Sequence, residues 1–76
     1  METIWLGYDG LALPFAQISV VLIYRPALDA YIVQTYGSVP RGVRSVVITA
    51  DGIYWPARVP PEQLRRRWAA WRRGEE

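Results

Sequence analysis

The dipeptide Asp51-Gly52 sits between two runs rich in β-branched and aromatic residues, Val43 to Ala50 and Ile53 to Arg58. This constrains the chain more than any other feature, because Asp-Gly between β-rich runs is the signature of a two-residue hairpin loop. A two-residue loop sets Ala50 opposite Ile53, Ile48 opposite Trp55 and Val46 opposite Ala57, giving one apolar side. Ser45, Val47, Thr49, Tyr54 and Arg58 take the other side, so the hairpin reads as buried on one face only. Pro56 lacks a backbone donor, which assigns the second arm to a sheet edge.

The rest of the chain reads around that hairpin. Thr3 to Tyr8 is a short strand, turned by Asp9-Gly10; Leu11 to Phe15 is irregular around Pro14. Ile18 to Arg25 is the strongest strand, and Tyr31 to Tyr36 reads as another because it is rich in Tyr, Ile and Val. Pro60-Pro61-Glu62 opens a helix, since Pro in the first turn forfeits a donor that has no partner there and Glu suits the positive end of the helix dipole. Leu64, Trp68 and Trp71 share one helix face, which should pack on the sheet, and Gly74 stops the helix. The expected fold is one α+β domain over residues 1–76, mainly β. It is a five-stranded antiparallel bent sheet or partly open small barrel, with strands at 3–8, 18–25, 31–36, 43–50 and 53–58 and a C-terminal amphipathic helix at 61–73.

A chain of 76 residues is near the lower limit for an unstapled core, and this one has no cysteine and no histidine. Disulfides and Cys/His zinc sites are excluded, and packing or a partner chain must supply the stability. Lysine is absent too, so the commonest general base, thiolate nucleophiles and Schiff-base chemistry are all missing. Asp9, Asp29 and Asp51 fall in turns, Glu62 in a helix first turn, and Glu2, Glu75 and Glu76 at the termini; each has a structural explanation. The expectation is a non-enzymatic protein without cofactor, metal or small-molecule substrate. No apolar stretch reaches membrane-spanning length and the N-terminus lacks a basic signal start, which reads as cytoplasmic. All nine basic residues are arginine and the net charge is +2. Depletion of Asn, Cys and internal Met fits a thermophilic source, whereas replacement of Lys by Arg also follows from a GC-rich genome.

Two candidate surfaces emerge. Arg65, Arg66, Arg67, Arg72 and Arg73 lie within nine positions of the helix, and arginine binds phosphate in bidentate fashion and stacks on bases. On the outward hairpin face, Tyr54 and Arg58 with Arg44 interleave an aromatic with cations, as single-strand-binding sheets do, and Arg41 extends that patch. The plain alternatives are solvated surfaces, with Trp68 and Trp71 as core residues. A third feature is the apolar strand at 18–25. Val21 and Ile23 lie opposite Ile18, Val20, Leu22 and Tyr24, so a second apolar face needs cover from within the chain or from another subunit.

Gly52-Ile53-Tyr54, four further residues, then Val59-Pro60-Pro61-Glu62, with Tyr36 upstream, resembles the strand-to-helix junction of the KTSC domain family over residues 30 to 64. The resemblance implies a three-strand meander and a following helix, in a family found attached to lysyl-tRNA synthetases among others. The family's later small-residue/Ser/Gly/Asn segment is replaced here by Arg and Trp. Strands followed by a C-terminal helix are also similar to the layout of small archaeal chromatin proteins of the SH3-like class, which are Lys-rich. The leading expectation is a nucleic-acid-binding module. The alternative is a protein-interaction module: a homodimer, an accessory subunit of a larger complex, or a small viral regulator of a host machine. Membrane-surface association through the Arg/Trp helix ranks last, because its tryptophans would have to leave the core.

Overall fold

A computed structural model describes residues 2–74. The element order is β1 (Thr3–Trp5), β2 (Ala12–Pro14), β3 (Ile18–Ile23), α1 (Asp29–Tyr36), β4 (Ser45–Thr49), β5 (Tyr54–Ala57) and α2 (Pro61–Arg72). The strands form two separate sheets, the β1–β2 hairpin and an antiparallel three-stranded sheet ordered β3-β4-β5. This corrects the single five-stranded sheet or barrel, and the irregular stretch at 11–15 contains a strand.

The largest correction concerns residues 31–36, which are helical. Pro26 starts a 3-10 turn that runs directly into α1, Asp29 occupies the first helical turn, and Gly37 closes it with φ +90° and its N–H donated to the Val33 carbonyl at 2.8 Å. Start and stop signals therefore outweigh the β-propensity of Tyr31, Ile32 and Val33. The meander implied between residues 30 and 64 accordingly contains two strands and a helix rather than three strands.

The hairpin register also differs by one residue. Val46 pairs with Pro56, Val47 with Trp55 and Ile48 with Tyr54. The Gly52 N–H donates to the Thr49 carbonyl at 2.8 Å, Thr49 in turn donates its N–H to the Ile53 carbonyl at 3.1 Å, and Gly52 has φ +81°. Ala50, Asp51 and Gly52 thus form a three-residue loop, a tight turn followed by a left-handed glycine. Asp51 braces it by accepting from the Thr49 hydroxyl and, at 3.4 Å, from the Ile53 N–H. One residue of slip exchanges the two faces. Ser45, Val47 and Thr49 face the main core with Trp55 and Ala57, while Val46 and Ile48 share the opposite face with Pro56 and Tyr54.

Both faces are covered within the chain. Val21, Val47 and Ala57 join Ile4, Leu6, Leu13, Phe15, Ile18 and Leu64 in the main core. The β1–β2 hairpin and α2 close that side, and the Trp71 ring stacks on Phe15 at 5.5 Å. The opposite face buries Val46 and Pro56 beneath α1, which packs on β5 with Ile32 wholly buried. A bulge between Ile18 and Val20 puts Ile18 on the same face as Val21, which simple alternation would not do. The Ser45 hydroxyl, buried in this sheet, donates to the Val59 carbonyl and ties β4 to the approach to α2. The expected stripe of α2 does face the core, with Leu64 buried and Trp68 and Trp71 packed against it. Among the described residues no helix is long and apolar enough to cross a membrane.

Candidate nucleic-acid interface

The fold separates the candidate arginines into two groups. On α2, Arg65 reaches the outer edge of β3 and donates from Nη2 to the Val21 carbonyl at 2.8 Å, so it satisfies an acceptor that the edge strand leaves open. Arg72 lies over the Trp68 ring, 4.3 Å from its centroid. Arg66 and Arg67 are exposed on the same helix, and Arg73 is exposed at its C-cap. Arg65 and Arg72 thus serve internal contacts.

The second group forms at one end of the three-stranded sheet. The Arg44 N–H donates to the Ala57 carbonyl at 2.8 Å, and the Arg44 carbonyl accepts from the Tyr24 N–H at 3.0 Å, so Arg44 lies between the ends of β3 and β5. Arg58 follows Ala57, and its N–H donates to the Leu6 carbonyl at 2.7 Å, drawing the turn after β1 to the same place. The approach is tight enough to require glycine. A Cβ on Gly7, where φ is +99°, would fall 2.6 Å from the Arg58 Cβ. Gly42 lies alongside, where a Cβ would be 3.2 Å from the Arg58 Nε. Arg41 joins through its backbone, which accepts the Tyr8 hydroxyl at 2.8 Å, and the Tyr8 ring lies 6.2 Å from that of Tyr36. The result is an exposed set of Arg41, Arg44 and Arg58 beside two tyrosines, drawn from four stretches of the chain.

The electrostatics agree with that placement. Burial pushes the Tyr8 phenol up, the charge of Arg58 opposes this, and Tyr36 raises it further. Tyr8 therefore stays protonated at neutral pH and keeps its donor for the Arg41 carbonyl. Among the described residues no carboxylate forms an ion pair with Arg41, Arg44 or Arg58, which leaves three forked donor groups able to take phosphate oxygens.

Of the hairpin-face residues, Arg44 and Arg58 come together, while Tyr54 stands apart with its ring stacked on Tyr31 at 4.5 Å. Val21 is buried in the protomer's own core, whereas Ile23 is 53% exposed. Tyr8 and Tyr36 were missed by sequence reasoning. Their link to Arg41 and Arg58 runs through a hydrogen bond spanning 33 residues and through the ring contact between Tyr8 and Tyr36, and no local pattern announces either.

No protein-family model, no curated protein and no solved structure matches the chain.

Proposed function

We propose that this chain is a non-enzymatic nucleic-acid-binding module whose phosphate-contacting surface is the sheet end carrying Arg41, Arg44 and Arg58, flanked by Tyr8 and Tyr36. The supporting observation is the convergence of arginines from separate segments, with no carboxylate partner among the described residues, beside aromatic rings. Phosphate contacts of this kind give affinity with little sequence readout. The α2 arginines take a lesser part, because Arg65 and Arg72 are held by the fold. The triple variant Arg41→Gln/Arg44→Gln/Arg58→Gln should lose binding to short DNA and RNA while keeping its fold, and Arg66→Gln should not. Equal binding by the triple variant and the parent would end this reading.

A second reading, a protein-interaction module, draws on the edge strand β3. Val20 and Ile23 are exposed there, and Trp5 is 58% exposed in β1. An edge strand with exposed apolar side chains is a ready surface for another chain, whether a second copy or a larger complex. Light scattering on the parent and on Ile23→Glu tests it; a monomer at all concentrations in both excludes the homodimer.

A further inference from the structure

A groove of about 530 Å³ opens between α1 and the start of β5, away from the arginine cluster. Tyr31, Gln34 and Thr35 of α1 line it together with Ile53, Tyr54 and Trp55. Its volume lies in the range of small-molecule sites. Three properties restrict what it can hold. First, none of its lining residues is an acid or an arginine. A ligand fragment carrying net charge would lose its hydration there without an opposite charge in return. Second, the lining is aromatic and flat. The Tyr31 and Tyr54 rings stack with an interplanar angle of 17°, and Tyr31 remains 48% exposed, so the pair presents a ready platform. Third, the side-chain polar groups are uncharged. The Trp55 indole N–H is engaged by the Thr49 hydroxyl at 3.3 Å, and the Gln34 carboxamide, the Thr35 hydroxyl and the Tyr31 and Tyr54 phenols belong to the lining residues.

The geometry points to an uncharged planar heterocycle of nucleobase size, stacked on the Tyr31–Tyr54 platform and read on its edge by Gln34. A carboxamide offers one acceptor and two donors, which matches the mixed edge of a base. Two sources supply the same chemistry, a free nucleoside or an unpaired base in a strand. The second rests on the proposed function, and the first does not.

Binding is followed by isothermal titration calorimetry while the protein is titrated with the unphosphorylated nucleosides, with a matched duplex and with the same duplex carrying a single-base bulge. A response to nucleosides identifies a free-ligand site; a preference for the bulged duplex without that response identifies an unpaired base in a strand. In either case Tyr31→Ala should weaken binding about tenfold, the scale of one base–aromatic stack, and Tyr31→Phe should retain it. Gln34→Ala supplies a second variant on an exposed position. No response to nucleosides, together with equal binding of matched and bulged duplexes, overturns the base site and leaves the arginine surface standing. A response confined to a proline-rich peptide would overturn it as well, in favour of a peptide groove. If no nucleic acid binds at all but nucleosides do, the base site stands and the proposed function falls.

Discussion

Replacing Arg65 by Gln should destabilise the protein, although the side chain sits on an exposed helix surface. The structure gives the reason: Arg65 Nη2 donates to the Val21 carbonyl at 2.8 Å, across 44 residues, at the open edge of β3. A hydrogen bond from a charged donor contributes about 1.5–3 kcal/mol. Ordering the long, partly solvated side chain offsets up to about 2 kcal/mol of that, leaving a net of about 1 kcal/mol. In a domain of this size about 1 kcal/mol lowers Tm by about 4–8 °C. Urea and thermal unfolding followed by Trp fluorescence measure the change, with an unaltered urea dependence showing that the unfolding transition itself is unchanged. Arg66→Gln, one position along the same helix, is the control and should stay within about 0.5 kcal/mol of the parent. If both variants unfold together, the Arg65–Val21 contact does not hold α2 against the sheet.

Other perturbations test other parts of the account. Gly7→Ala combines a positive φ with a Cβ 2.6 Å from that of Arg58, whereas Gly10→Ala, at φ +75°, meets nothing within 4 Å. By equilibrium unfolding Gly10→Ala should cost about 1–2 kcal/mol, the backbone term alone, and Gly7→Ala clearly more. Ile32→Ala removes the single buried side chain of α1 and should cost about 2–5 kcal/mol; a loss near zero would mean that α1 does not cover the sheet. The Tyr24 phenol is raised chiefly because its hydroxyl donates to Asp29 at 2.6 Å, so the folded state holds that proton more tightly than the unfolded chain. Its contribution is therefore complete below the ordinary tyrosine value of about 10 and is lost as pH rises beyond it. Tyr24→Phe should flatten the alkaline limb of the stability profile, and an unchanged limb would contradict the assignment.

Several elements were legible because their signals are local. The Pro60-Pro61-Glu62 start, the Leu64/Trp68/Trp71 stripe and the Pro56 edge strand all follow from backbone chemistry and periodicity. Residues 31–36 misled because β-branched and aromatic side chains outweighed the Pro26 and Gly37 punctuation, which reads correctly once α1 is seen to need only one buried face residue. Asp51-Gly52 marked the hairpin, yet both two- and three-residue loops accept Gly at the left-handed position, so the pair could not set the register. The bulge near Ser19 then altered which side chains of β3 share a face. At the candidate site, Arg44 and Arg58 were expected near one another, but a two-residue loop would set Arg58 opposite Ser45, and it is the three-residue loop that brings Arg44 to Ala57, beside Arg58. Tyr8 and Tyr36 depend on long-range contacts, and the diversion of Arg65 to the β3 edge depends on where α2 docks.

The central claim is tested most directly by the salt dependence of binding to a short duplex. The logarithm of the association constant is measured against that of salt concentration for the parent and for Arg41→Gln/Arg44→Gln/Arg58→Gln. Three phosphate contacts predict a slope of about −2.7 for the parent, at about −0.9 per neutralised phosphate. The triple variant should fall to a slope near zero with binding lost at moderate salt. No binding by the parent at low salt, or the same slope in both proteins, would contradict the placement of a nucleic-acid surface at this end of the sheet.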